Sequence, residues 1–179
     1  LVRTTRLGFG GVARGAGDAR EAARGLTSVS GLPMNSSSTF AANDGDGYEL
    51  VMGRWSKRLA KPFLDFAGTR DGERVLDVGC GTGHLARAIV ERSMPGEVRA
   101  IDLAAAYIEH AQRGPPDPRV VFEVGDACAM NFADHSFDRV LSMLVLHFVP
   151  QADRAIAEMR RVARPGGVVA ASVWDVRGG

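Results

Sequence analysis

An α/β fold built on a doubly wound, mostly parallel sheet is predicted by three features of this 179-residue sequence. Strand-like and helix-like segments alternate from residue 74 to residue 174. The helix-like segments carry apolar residues on one stripe. The first strand signal of the series runs straight into a glycine cluster and then a helix. Parallel neighbours need crossover helices, so the alternation implies a parallel sheet. Ligands on such sheets bind beyond the carboxyl ends of the strands.

In chain order, a leading helix is read from Tyr48, Met52, Trp55, Leu59, Phe63 and Phe66, which recur every three or four positions. Pro62 is expected to kink or restart it, because proline lacks an N–H and clashes with the preceding turn. Gly68 and the polar "TRDGE" close the segment. "RVLDVG" (74–79) reads as a buried strand, and "GHLARAIVERS" (83–93) as a helix with Leu85, Ile89 and Val90 inward. "EVRAID" (97–102) is a strand, and "AAAYIEHAQR" (104–113) a helix stopped by Gly114-Pro115-Pro116. "RVVFEVG" (119–125) is the next strand, and "FDRVLSMLVLHFV" (137–149) a strand running into a loop. "ADRAIAEMRRVAR" (152–164) is a helix with Ile156, Met159 and Val162 inward and its arginines mostly on a solvated face. "GGVVAASVW" (166–174) is the last strand.

Composition excludes several classes. Hydrophobic content of 45% and charged content of 24% are ordinary for a globular domain, not for a collagen-like, coiled-coil or wholly disordered chain. A net charge of +1 argues against a dedicated nucleic-acid binder. Cys80 and Cys128 alone make no disulfide framework and no four-cysteine zinc site. No apolar run approaches the roughly 20 residues of a membrane span, and a cytoplasmic location is expected. The charge is uneven. Residues 1–33 hold Arg3, Arg6, Arg14, Arg20 and Arg24 against Asp18 and Glu21, about +3, and the remainder is about −2. The organisation read from this is an irregular leader over 1–44, an N-terminal helical segment over 45–72 and a ligand-binding domain over 73–179. The leader buries too little to offset the entropy of ordering it. Met34 is read as the initiator, with 1–33 as upstream read-through; a transit peptide is the alternative.

The chemistry gathers at the strand ends. In "VLDVGCGTG" (75–83), Gly79, Gly81 and Gly83 permit a tight turn and keep Cβ atoms away from a ligand. The helix that follows offers unpaired N–H groups. A dinucleotide loop has G-x-G-x-x-G, but its third glycine position is His84 here. Asp77 precedes the loop and can accept hydrogen bonds from loop amides or a ligand. Asp102, 23 positions after Gly79, ends the next strand, where an acid can hold both hydroxyls of an adenosine ribose; a helix-capping role is the plainer reading. Asp126 and Ala127 follow the third strand of the series. There a carboxylate and a backbone N–H can read an adenine edge, or simply form a turn.

Together these segments resemble class I S-adenosylmethionine-dependent methyltransferases of the small-molecule type. "VLDVGCGTG", "AIDLA", "VGDACAMNFADHSFDRVLSMLVLHF" and "EMRRVARPGG" are each similar to that family's motifs, and "YELVMGRWSKRLA" to the N-terminal helix of one branch. The resemblance implies a Rossmann-like fold, S-adenosylmethionine as donor, S-adenosylhomocysteine as product and a small-molecule acceptor, with no nucleic acid or membrane partner. It implies that Asp77, Gly79, Gly81 and Gly83, with Cys80 among them, line the methionine and ribose part. Asp102, with Leu103 beside it, would hold the ribose, and Asp126 and Ala127 the adenine. Ser142 and Met143 would lie near the methyl group, and Arg54 would meet the donor carboxylate. The family normally adds two strands and a helix after "VVAASVW". Without them the last strand is an apolar edge. The chain is therefore expected to be incomplete, or to cover that edge by self-association.

His147 is the candidate general base, since an imidazole titrates near neutrality; packing at a strand end is the plainer role. His84, His110 and His135 are expected on solvated helices or turns, and no H-x-x-x-H pair suggests a metal. Cys80 sits at a helix N-terminus, a place that lowers a thiol pKa, but a small residue tolerated in a tight turn is the simpler reading. Three functions remain open: a methyltransferase, a non-catalytic donor-binding remnant and a nicotinamide-dependent oxidoreductase, the last disfavoured by His84.

Overall fold

The computed structural model of the protein describes residues 2–8 and 52–175. Among the described residues the order is β1 (Val2–Gly8), α1 (Arg54–Ala67), β2 (Arg74–Val78), α2 (His84–Arg92), β3 (Glu97–Asp102), α3 (Ala105–Arg113), β4 (Val120–Val124), β5 (Phe137–Met143), a 3-10 turn (Leu146–Phe148), α4 (Ala152–Val162) and β6 (Ala163–Trp174). The strands lie in one sheet in the order β1-β6-β5-β2-β3-β4. β2 to β6 pair in parallel, and β1 pairs antiparallel with β6. Strand order therefore reverses between β2 and its two neighbours, β3 and β5, which is where such sheets open a ligand crevice.

Strand side chains alternate between the two faces, and each face buries its own helices. On one face Val75, Val98, Ala100, Leu141 and Ala170 pack under α1 through α3, which contribute Phe63, Leu64, Leu85, Ile89 and Ile108. On the other, Leu76, Val78, Ile101, Val140 and Val169 pack under Ala155, Met159 and Val162 of α4. This is the doubly wound architecture expected from the sequence. No helix among the described residues is long and apolar enough to cross a membrane.

Three expectations change in detail. The α1 stripe is rotated: its buried residues are Ser56, Ala60, Phe63, Leu64 and Ala67, while Trp55 and Phe66 are largely exposed. Small residues, invisible to a stripe read from large apolar positions, supply three of those five. Tyr48 lies outside the described residues. Pro62 does not interrupt the helix, which runs unbroken through it to Gly68, where a left-handed cap donates its N–H to the Leu64 carbonyl at 2.8 Å. The carbonyl that Pro62 leaves without a donor belongs to Arg58, an exposed residue that water can serve.

The third change concerns the far edge. β6 is not bare: Val2 to Gly8 pair with Trp174 to Val168 in continuous antiparallel register. The leader, read as irregular throughout, thus supplies a strand where an uncovered edge was expected. Residues 9–51, including the Met34 start, lie outside the described residues.

Two arginines fasten the loops. Arg139 on β5 is 3% exposed and meets Glu73 through Nε–Oε2 at 2.6 Å and Nη2–Oε1 at 2.7 Å. It also donates to the Ala67 carbonyl at the end of α1. Arg161, expected on a solvated face, instead donates to the carbonyls of Met130 and Phe132 and to Asp134 and Glu158. It thereby holds the segment between β4 and β5.

Candidate active site

The β2–α2 turn is built on backbone that side chains resist. Gly79, Gly81 and Gly83 have φ of 73°, 53° and 88°. The N–H groups of Gly79 and Cys80 both donate to the Ile101 carbonyl, at 2.8 and 2.9 Å, which draws the turn against β3. A Cβ on Gly79 would come within 2.9 Å of the Val145 Cβ, and one on Gly83 within 2.8 Å of the Phe122 ring. The glycines were expected to make room for a ligand; at these two positions they also make room for the protein itself. Val145, just beyond β5, thus packs directly on the turn. Nothing in the local sequence signals either contact.

Asp102 closes the turn from β3. Its Oδ2 accepts the Gly81 N–H at 2.8 Å and its Oδ1 the Ala104 N–H at 2.9 Å. The second bond closes a turn just ahead of α3, whose N-terminus has no side-chain cap. Each oxygen retains a lone pair, so the carboxylate can still accept from a ligand. Burial pushes its pKa up, and the amides of Ala104, Gly81 and Leu103 hold it back. Leu103, beside it, is 44% exposed.

Asp77 is the most unusual group. It is 1% exposed, and its Oδ2 has no hydrogen-bond partner. Burial, then the charge of Asp102, push its pKa from the ordinary 3.8 to about 8, against the pull of the Ala86 N–H in α2. Cys80 lies in the same environment. The expected lowering of its pKa is reversed: burial, Asp77 and Asp102 raise the thiol well above its ordinary value. It stays a thiol at neutral pH, in keeping with the small-residue reading.

Asp126 forms a turn, its Oδ1 accepting the Cys128 N–H at 2.8 Å, with Ala127 half-buried within it. Ser142 and Met143 end β5; Ser142 is fully buried and its Oγ has no partner. Leu144 follows in the left-handed region, φ 62°, and its N–H donates to the Ser172 carbonyl of β6 at 2.8 Å. The chain then enters the 3-10 turn that carries His147. Both His147 ring nitrogens are buried without partners, and its ring lies 3.9 Å from that of Phe148. Burial lowers its pKa, so the imidazole is neutral at pH 7. Arg54 lies exposed at the first turn of α1. Among the described residues no cluster of His, Cys, Asp and Glu could hold a metal.

Asp77, Asp102, Asp126 and Ser142 thus stand at or just beyond the carboxyl ends of four consecutive parallel neighbours of one sheet, around a glycine turn at the point where strand order reverses. A family model described as "Methyltransferase domain" matches residues 76–171. The chain belongs to this methyltransferase family. It is 36% identical over 123 residues to the ubiquinone/menaquinone biosynthesis C-methyltransferase UbiE of Paracoccus denitrificans, covering 66% of this chain and 49% of that protein. It is 38% identical over 122 residues to a demethylmenaquinone methyltransferase of Beutenbergia cavernae, covering 68% and 48%. The fold is shared with an S-adenosylmethionine-dependent methyltransferase of Methanococcus maripaludis at a TM-score of 0.63 and 20% identity, over 79% of this chain and 67% of that one. The chain spans about half the length of the curated methyltransferases it matches. The methyl donor of class I methyltransferases is S-adenosylmethionine. The residues fit such a donor: it carries positive charge and a vicinal diol, and the site offers a buried carboxyl oxygen without a partner beside a carboxylate with lone pairs to spare. Membership of this family also sets aside the nicotinamide reading.

Proposed function

We propose that the protein moves a methyl group from S-adenosylmethionine to a small-molecule acceptor. The observation that supports this best is the partnerless Oδ2 of Asp77, buried against the glycine turn. A structural aspartate would have its oxygens satisfied. In this reading Asp77 and the turn Gly79, Cys80, Gly81 and Gly83 hold the methionine and ribose part. Asp102 accepts the ribose hydroxyls beside Leu103, and Asp126 and Ala127 read the adenine. Ser142 and Met143 border the methyl group, and Arg54 is the partner for the donor carboxylate. The bound donor supplies an electrophilic methyl carbon, so the protein contributes chiefly alignment, and no protein nucleophile is needed. His147 takes the acceptor's proton where the acceptor is a hydroxyl or ammonium. It has both ring nitrogens free and is neutral, the form a base requires.

Calorimetric titration with S-adenosylmethionine, S-adenosylhomocysteine and NADH tests the donor assignment. The two adenosyl ligands are expected to bind and NADH is not. Asp102→Ala is expected to weaken adenosyl binding by about 10- to 100-fold, the range of a hydrogen bond to a charged group. Preference for NADH, or indifference to Asp102→Ala, would overturn the reading. For the base, His147→Ala is expected to lower kcat by about 10²–10⁴-fold while donor affinity is unchanged. A fall in donor affinity without loss of kcat would assign His147 to packing.

A further inference from the structure

Asp77 sets an electrostatic problem that donor binding must solve. Its carboxyl is shut off from water, and Asp102 is close enough to repel it. The surrounding groups leave it without a counter-ion. From β3 comes Asp102, with both oxygens engaged by Gly81 and Ala104. From the turn comes the Cys80 thiol, which stays protonated. From α2 comes only the Ala86 N–H; Arg87 on the same helix donates instead to the Ala111 carbonyl of α3. The buried face of α1 is Ser56, Ala60, Phe63, Leu64 and Ala67. β5 ends in Ser142 and Met143, and β6 passes beside Met143 with Ser172, all three uncharged. No positive charge among the described residues lowers the pKa of Asp77. A carboxylate so placed is costly when ionised, whereas a neutral carboxyl is tolerated.

We propose that Asp77 carries a proton in the ligand-free protein and surrenders it when the cationic donor binds, so that donor capture and proton release are one event. This rests on the assignment of S-adenosylmethionine as the donor. The ligand's positive charge supplies what the fold withholds, and the carboxyl that was neutral becomes its counter-ion. The proton passes to the buffer; no bond other than O–H breaks. The coupling makes the site selective for charge. A neutral adenosine ligand of similar shape gains nothing from Asp77, because it offers no reason for the carboxyl to ionise.

The linkage fixes the sign of the pH dependence. Where the free site holds a proton that the complex has lost, affinity rises with pH. Donor affinity is therefore expected to rise about tenfold from pH 6 to pH 7, then to level off as the free carboxyl itself ionises near pH 8. The decisive experiment is calorimetric titration of the full chain with S-adenosylmethionine at pH 7 in buffers of different ionisation enthalpy. The slope of heat against buffer enthalpy counts protons. About one proton released per donor bound is expected for the natural protein, and close to none for Asp77→Asn, with the pH slope of affinity lost as well. A heat independent of buffer in the natural protein would overturn the proposal while leaving the donor assignment intact. Proton release that persists in Asp77→Asn would also overturn it, by placing the proton elsewhere. Absence of any donor heat from pH 6 to pH 9 would remove the donor assignment and the proposal together. Should Asp77→Asn fail to fold, carbon NMR of the Asp77 carboxyl in the natural protein reads the same proton: its ionisation on donor addition at pH 7 is expected, and an unchanged signal would overturn the coupling.

Discussion

Replacing Glu73 with alanine is expected to destabilise the fold by about 3–5 kcal/mol, read as a lower urea midpoint. The cause is the charge left behind. Arg139 is 3% exposed, and both of its short contacts to carboxylate oxygens are to Glu73. Without Glu73 its buried guanidinium keeps only the Ala67 carbonyl. A loss of this size is a large part of the roughly 5–15 kcal/mol by which domains are stable. It would fall at the junction of α1, β2 and β5, loosening the helix that covers the donor face of the sheet. Asp65→Ala is the natural control. Its partner Arg92 is also an arginine, but the two side chains are 54% and 38% exposed. Such a pair is worth at most about 1 kcal/mol. Equal midpoints for the two variants would show that burial of the Arg139 pair carries no special weight.

The second large effect is expected at Gly79. Gly79→Ala meets two penalties at once. Its φ of 73° lies in the left-handed region, and the added methyl would press into the Val145 side chain. The first costs about 1–3 kcal/mol and the second about 1–3 kcal/mol more. Gly72 separates them, since its φ is 76° but an added Cβ meets nothing within 4 Å. Gly72→Ala is therefore expected to show the conformational cost alone. Adding Val145→Ala to Gly79→Ala is expected to recover most of the steric part, since the two Cγ atoms go and only the Cβ contact at 2.9 Å stays, and to leave the rest. Donor affinity of Gly79→Ala should fall in parallel, because the turn that moves is the one proposed to cradle the donor. Equal stability losses at Gly72 and Gly79 would show that Val145 yields freely.

What the sequence revealed and what it hid follow from the range of the forces involved. The alternation of strands and helices was legible because the 2.0- and 3.6-residue periods are local. So was the glycine turn, since positive φ is a property of single residues. The positions of Asp77, Asp102 and Asp126 at strand ends followed from the same local punctuation. Long-range pairings were not legible. Val145 against Gly79, Phe122 against Gly83 and Arg139 with Glu73 each join residues far apart in the chain. The orientation of α1 was missed for a related reason. Ser56 and Ala60 are buried because a neighbour approaches closely there, and nothing about a serine or alanine announces that. Asp102 was read as a ribose ligand or a cap. The structure shows it bracing the glycine turn and the turn ahead of α3 without capping that helix, and the ribose role belongs to the proposal.

The pairing of β1 with β6 bears on how the chain folds. Every residue pair in that ladder is separated by at least 160 positions, from Gly8 with Val168 outward to Val2 with Trp174. The parallel strands β2, β3 and β4, and β5 with β6, are joined through crossover helices and assemble from nearer contacts. The β1 ladder instead closes one very long loop, the strand pairing of highest contact order among the described residues. Its entropic cost grows only slowly with loop length, so the ladder is affordable once β6 is in place. During synthesis β1 emerges well before its partner β6. Until β6 is made, β1 has no partner in the sheet and is exposed to pairing with other chains.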